Sequence, residues 1–246
     1  MIKFSILITT RQRTEMLSNL LESIYKTTSN PSEVEIRIVY DLDDKETIDW
    51  INKKIPYEAV IVTWFHNRER STNLVNDYHN WLAPQSQGKY IIFSNDDALF
   101  ELNGWDIKTW EKLENFEKKY PDGIIYGIPE DFEKENRRNE SNWMACFPLL
   151  SKKAIEVLGY AFDPAYIKDG ADWALAGTYR KINRVVDLRE CIVIKHLSFR
   201  SGRRKWDVLD ENSLKLDSII NGNPPNINNI IEKNSKKLLE YINKKG

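Results

Sequence analysis

Two carboxylates stand side by side in Asn95-Asp96-Asp97, directly after the apolar run Tyr90 to Ser94. A run that apolar reads as a buried strand, so both acids are fixed at its end, where their repulsion is costly without a cation. A divalent ion with hard oxygen ligands, Mn²⁺ or Mg²⁺, would relieve that cost, and a diphosphate could complete its shell. The same triplet also makes a good turn, because Asn and Asp hydrogen-bond their own backbone. Farther on, His196 closes the strand-like stretch Cys191 to Lys195 and offers a nitrogen ligand to the same ion. A structural or solvated histidine is the plainer alternative. Arg200, Arg203, Arg204 and Lys205 follow, a set that could hold a diphosphate by charge-assisted hydrogen bonds or simply form a solvated basic loop.

A second acidic position lies in Lys168-Asp-Gly-Ala-Asp-Trp-Ala-Leu-Ala, at the start of a helix expected to end near Tyr179. Asp169 is the better placed of its two aspartates to cap that helix. Asp172 then shares a face with Ala176 and Tyr179, and the small Ala176 leaves its carboxylate open to a substrate hydroxyl as a general base. Trp173 beside it offers a flat face on which a sugar ring could stack, or else a core aromatic.

The elements that must position these groups alternate between strand and helix. Lys3 to Thr9, Glu35 to Tyr40, Val60 to Phe65 and Tyr90 to Ser94 read as strands. Between them, Leu17, Leu20, Leu21, Ile24 and Tyr25, then Ile48, Ile51 and Ile55, then Leu74, Val75, Tyr78 and Leu82 recur at helical spacing. This is the pattern of an α/β fold with a mostly parallel sheet covered by helices. Ligands in such sheets bind outside the carboxyl ends of the strands, and Thr9-Thr10-Arg11, Asp41 and Asn95-Asp96-Asp97 all fall there.

The second half predicts a mixed sheet, with strand-like stretches at Gly123 to Gly127, Met144 to Leu150, Arg184 to Leu188 and Cys191 to Lys195. Glu130 to Asn142 is charged and nearly free of aliphatic residues, which predicts an exposed loop. Ser151 and Gly159 bracket a short helix as its N-cap and stop. After Pro224-Pro225, Ile227, Ile230, Ile231, Leu238, Leu239 and Ile242 form an apolar face, expected to pack on the domain rather than on a partner chain.

The chain has 246 residues and a formal net charge of -1, so no global field would recruit nucleic acid or an anionic membrane. Nothing at its start reads as a leader, and no stretch approaches the roughly 20 apolar residues of a membrane span. Cys146 and Cys191 sit in apolar runs, as buried reduced thiols do. The expectation is a soluble, cytoplasmic chain without direct nucleic-acid binding.

Taken in order, these motifs resemble the inverting family 2 glycosyltransferases of the GT-A fold over roughly Met1 to Phe199. Ser5-Ile-Leu-Ile-Thr-Thr-Arg-Gln-Arg looks like that family's first strand and turn, which puts Thr9 and Arg11 where the nucleotide is contacted. Ile38-Val-Tyr-Asp-Leu-Asp-Asp is similar to its second strand and acidic end, which implies that Asp41 reads the base or ribose. Arg70 and then Gly88-Lys-Tyr-Ile-Ile-Phe-Ser-Asn-Asp-Asp resemble its third segment and metal motif. In that register Asp97 is the metal ligand, Asp96 lies by the ribose or diphosphate, and Asn95 replaces the first aspartate of the usual Asp-x-Asp. Leu149 to Pro164 looks like the family's helix and Gly-x-x-Phe-Asp turn. Asp172 falls on the general base, with Ala171 in place of a preceding glutamate, and His196 falls on the late histidine that meets the metal.

The resemblance implies a single GT-A domain: a Rossmann-like, mostly parallel mixed central sheet flanked by helices, with a helical C-terminal tail. Residues 1–206 would form the transferase domain, 1–100 its nucleotide-binding half and 101–206 its acceptor-binding half, followed by an extension over 207–246. The expected partners are a nucleoside-diphosphate sugar, UDP first, and a glycan or other hydroxyl acceptor, with Trp143 as a further stacking platform. Two readings stay open beside it: a retaining transferase of the same fold, and an inactive nucleotide-sugar or glycan binder, motivated by Ala171 and Asn95. A nucleotidyltransferase is disfavoured because Thr9-Thr-Arg-Gln-Arg-Thr has no glycine to form a phosphate loop.

Overall fold

The computed structural model describes residues 1–53, 60–66, 71, 73–131, 144–168, 170–198 and 225–245, with only the backbone of 60–66. Strands β1 (Phe4–Thr9), β2 (Val34–Asp41), β3 (Val60–His66) and β4 (Tyr90–Asn95) run parallel in the order β3-β2-β1-β4. The sheet continues through β8 (Leu149–Ser151), β6 (Tyr126–Ile128) and β9 (Val185–Asp187). β8 is antiparallel to both β4 and β6, whereas β9 is parallel to β6. The sheet is therefore mixed, as expected.

Side-chain alternation divides the core into two layers. Phe4, Ile6 and Ile8 of β1 face one layer, packed with Leu17, Leu20, Leu21 and Ile24 of helix α1 (Thr14–Thr27). Leu7 faces the other, with Val75, Tyr78 and Leu82. Each fully buried aliphatic side chain contributes about 1.5–3 kcal/mol, so a strand covered on both faces is fixed in register by its own sequence. Helix α2 (Lys45–Lys53) follows β2. The next helical segment, α3, begins as a π-type turn over Val75–His79 and runs on through Asn80–Leu82.

Helix α4 (Trp105–Lys119) is not anticipated by the sequence pattern, because its exposed faces are crowded with Lys and Glu. Its buried stripe is Trp105, Asp106, Thr109 and Leu113. Trp105 is fully buried, its ring centroid 5.3 Å from those of Phe4 and Phe100. Helix α5 (Lys152–Leu158) has the expected ends: the Ser151 hydroxyl accepts the Ala154 N–H, and Gly159 closes it at φ 87°, a left-handed conformation that favours glycine.

A second sheet, β5-β10-β7, grows from the site end of the first. β5 (Ala98–Phe100) starts one residue after the acidic triplet, and β10 (Val193–His196) pairs antiparallel with it. β7 (Glu130–Asp131) pairs parallel with β10. This corrects part of the loop expected over Glu130 to Asn142: Glu130 and Asp131 are buried, at 5% and 1% exposure. The two acids sit in a strand because the backbone is paired, Glu130 donating its N–H to the carbonyl of Ile192, and the remainder, 132–143, lies outside the described residues.

Helix α6 (Ala171–Lys181) begins after Gly170. Helix α7 (Ile227–Asn243) lies on α6 and α5, burying Ile230 and Leu238, so the apolar face of this tail packs on the domain. Ile227 and Leu239, from the same expected face, are 36% and 37% exposed. Among the described residues no helix is long and apolar enough to cross a membrane.

Candidate active site

The parallel register sets the floor of the site. Thr9 of β1 stands opposite Val39 of β2 and Asn95 of β4, so the carboxyl ends of these strands are level. The Thr9 hydroxyl donates to Asn95 Oδ1 at 2.7 Å. Beyond Thr9 the chain turns through Gln12, which is held at φ 53° with its N–H on Asp44 Oδ2. A left-handed residue between two arginines sends them in different directions. Arg11 reaches over β2, with Nη1 3.0 Å from Asp41 Oδ2 and both amino groups 2.7 Å from the Asp43 carboxylate. Those hydrogen bonds, chiefly from Asp43, hold its guanidinium pKa above the ordinary value. Arg13 points the other way, 3.4 Å from Asp96 Oδ1.

The two aspartates of the triplet part company. Asp96 is 4% exposed and faces inward, its Oδ2 accepting the Thr10 hydroxyl at 2.9 Å and its N–H bonded to the carbonyl of Thr9. Burial pushes its carboxyl up to about 7, Arg13 and the Thr10 bond pulling down while Asp97 pushes further up. Asp97 faces the second sheet, its Oδ2 3.4 Å from His196 Nε2. That approach is set by backbone: Ala98 pairs with His196, and Leu197 donates its N–H to the Asp97 carbonyl at 2.7 Å. The Phe147 ring packs edge-on against the imidazole at 4.8 Å. The triplet is thus a strand end and a turn, Asn95 ending β4 and Asp96-Asp97 forming the turn into β5.

One carboxylate oxygen and one imidazole nitrogen converging at a strand end suit a divalent cation that takes its other ligands from a diphosphate. Among the described residues no group of three or more His, Cys, Asp or Glu is arranged to hold a metal, and Asp97 and His196 form a pair.

Asp41 is 1% exposed and lies beneath Arg11, with its other oxygen accepting the Tyr78 hydroxyl at 2.6 Å. Any contact from this carboxylate to a ligand therefore passes through Arg11 or requires it to move. Asp172 sits half-buried in the first turn of α6, its Oδ1 accepting the Trp173 N–H at 2.9 Å. The residue at the cap position is Gly170, and Asp169 lies outside the described residues. Burial raises the hydroxyl pKa of Tyr126, with the charges of Asp172 and Asp131 adding to that rise. Tyr126 stacks on Tyr179 of α6, and its hydroxyl accepts the Ala145 N–H. Trp173 is 41% exposed, a free aromatic face rather than a core residue.

Thr9, Arg11, Asp41, Asn95, Asp96, Asp97 and His196 are gathered at one edge of the fold, with Asp172 and Trp173 carried on α6. Arg70, Trp143, Arg200, Arg203, Arg204 and Lys205 lie outside the described residues. The sequence pattern did not single out Arg13, Asp43 and Phe147, which contact the candidate side chains Asp96, Arg11 and His196. Asp43 was visible in Asp41-Leu-Asp-Asp and Arg13 in the basic turn, but which carboxylate each arginine meets depends on the conformation of Gln12. Tyr78 reads from sequence as a core aromatic, and only its hydroxyl bond to Asp41 distinguishes it.

No curated protein sequence matches the chain. Among solved structures the fold is similar to S. aureus TarS 1-349 in complex with UDP, with a TM-score of 0.60, 13% identity, and 79% of this chain and 60% of that one covered. It is also similar to the mannosyltransferase PcManGT from Pyrobaculum calidifontis in complex with GDP-Man and Mn²⁺, with a TM-score of 0.57, 13% identity, and 79% and 56% covered. GalNAc-T7 with UDP, GalNAc and Mn²⁺ aligns at a TM-score of 0.56, 12% identity, and 79% and 44% covered. The chain thus spans 44% to 60% of these proteins' length, and the likeness is one of fold, the GT-A fold. The Glycosyl transferase family 2 model matches residues 5–176, from β1 through the Asp96-Asp97 turn to α6, and the chain belongs to that family.

Proposed function

We propose that this protein transfers a sugar from a nucleoside-diphosphate sugar, UDP-linked in the first instance, to an acceptor hydroxyl with inversion at the anomeric carbon. The observation that carries this reading is the convergence of Asp97 and His196 beside the carboxyl ends of β1 and β4, in a chain of glycosyl transferase family 2. The neighbours of the same fold solved with UDP or with GDP-Man and Mn²⁺ support a nucleotide-sugar donor and a divalent metal.

Asp97 and His196 would hold Mn²⁺ or Mg²⁺, which, when bound, supplies positive charge to the departing diphosphate. Arg11, fixed by Asp41 and Asp43, presents a guanidinium toward the nucleotide, and Thr9 and Asn95, bonded to each other at the adjoining strand ends, contact it too. Asp96 braces the turn from within, next to the ribose and diphosphate. Arg70 and the basic group Arg200, Arg203, Arg204 and Lys205 join the anion-binding set. Asp172 accepts the proton of the acceptor hydroxyl as its oxygen attacks the anomeric carbon from the face opposite the diphosphate. Trp173, exposed on α6, offers a stacking surface to the acceptor, the role proposed also for Trp143.

The test is release of nucleoside diphosphate from a panel of UDP-, GDP- and dTDP-sugars with Mn²⁺ and with chelator, together with the anomeric configuration of the transferred sugar. Metal-dependent release and an inverted product are expected. A retained configuration removes Asp172 as base, and tight binding with no turnover over long incubation identifies a nucleotide-sugar-binding protein instead.

A further inference from the structure

We propose that Tyr78 is a positioning residue for nucleotide affinity: its hydroxyl fixes the Asp41 carboxylate, which fixes the Arg11 guanidinium. The inference rests on the reading of Arg11 as nucleotide-facing. Tyr78 is 5% exposed, and its hydroxyl donates to Asp41 Oδ1 at 2.6 Å while accepting the Ser71 N–H at 3.0 Å. Asp41 Oδ2 in turn accepts from Arg11 Nη1 at 3.0 Å. A core aromatic needs no hydroxyl at this place. Here the hydroxyl leaves one carboxylate oxygen for Arg11 and stops the carboxylate from rotating away, so the guanidinium is held before any ligand arrives.

Tyr78 is itself fixed from the opposite side. It lies in the π-type turn Val75–His79, and a π-turn places one extra residue in the helical repeat and so re-aims the side chains around it. Tyr78 thereby faces β2 while Asn76 and Asn80 face the turn before α6. Asn76 Nδ2 donates to the Pro164 carbonyl at 3.0 Å and Asn80 Nδ2 to the Phe162 carbonyl at 2.8 Å. Asn80 Oδ1 accepts the N–H groups of Ala161 and Phe162 at 3.0 and 2.9 Å. Ser71 is held by its hydroxyl on Asp77 and by the Asn73 N–H on that hydroxyl. The tyrosine is thus the end of a braced strut, and its reach to Asp41 is a fixed length.

Binding of the tightest nucleotide among UDP, GDP and dTDP, and separately of inorganic pyrophosphate, is measured by calorimetry with Mn²⁺ on the full chain and on Tyr78→Phe, Asp41→Asn and the double variant. Pyrophosphate reports the metal end alone, which a general loosening of the fold would also weaken. The expected result is about tenfold weaker nucleotide binding in Y78F, the scale of one hydrogen bond to a charged group, with pyrophosphate binding unchanged. The double variant should be no weaker than D41N, since both act through one carboxylate. Tyr78→Met, which fills similar space without a hydroxyl, repeats the measurement if Y78F does not fold. If D41N weakens the nucleotide selectively but Y78F spares it or weakens both probes alike, the inference falls and the nucleotide reading stands. If D41N spares the nucleotide, the inference and the role of Asp41 fall together, and if no nucleotide binds the native chain, the functional reading falls with them.

Discussion

Asp97 and His196 meet because β5 and β10 are zipped together, His196 opposite Ala98, with the imidazole Nε2 3.4 Å from the Asp97 carboxylate. Neither side chain has to search for the other, since hydrogen bonds on both sides of the pair fix the backbone from which they project. A pair held in advance loses little freedom when an ion arrives. Replacing either residue with Ala should therefore lower kcat/KM by about 100-fold or more, about 2.7 kcal/mol of transition-state stabilisation. Steady-state assays across a Mn²⁺ titration check this, and near-native activity of H196A would remove the histidine from the metal site.

Asp172 is predicted to act on the chemical step and not on donor binding. Asp172→Asn keeps the shape of the side chain but removes its basicity, so kcat should fall by about 10²–10⁴-fold with the donor KM within about twofold of native. Unchanged turnover would remove Asp172 from the mechanism.

The buried Asp96 makes a pH-dependent contribution to stability. Its carboxyl is raised from 3.8 to about 7 in the fold, so between those values the folded protein binds a proton that the unfolded chain has released. The contribution of this group is fully present below the lower value and is lost as pH rises through the upper one. In chelator and without nucleotide, Asp96→Asn should gain thermal stability relative to the native protein as pH climbs from about 5 to about 8. Melting curves at half-unit steps test the slope, and a constant difference across that range would contradict it.

Gly88 marks the entry to β4, where a Cβ would lie 2.5 Å from the backbone nitrogen of Ser5 and 2.7 Å from the carbonyl carbon of Phe4. The neighbour is backbone in the β1–β4 pairing, which cannot yield without disturbing the sheet. Gly88→Ala should cost about 1–3 kcal/mol, lowering Tm by roughly 2–10 °C for a chain of this size. Because the clash lies at the far end of β4 from Asn95, kcat per folded molecule should be unchanged well below Tm.

The sequence alone determined the alternation of strand and helix, the mixed second half, the ends of α5 and the placing of Thr9, Asp41 and Asn95 at the carboxyl ends of their strands. Those features are local: alternation with a period of two or of 3.6, capping residues, and an apolar strand that stops at acids. It missed α4, where Lys and Glu mask a stripe of Trp105, Thr109 and Leu113, and it read Glu130-Asp131 as loop because their burial comes from a partner strand. Only the tertiary structure decided that Asp96 turns toward Thr10 and Arg13 while Asp97 turns toward His196, and that Asp41 lies under Arg11. The direction of each side chain depends on one left-handed residue, Gln12, and on the pairing of β5 with β10. The Gln12 N–H bond to Asp44 and the β5–β10 pairing join distant segments, and no pattern along the chain encodes which partner a charged side chain will meet.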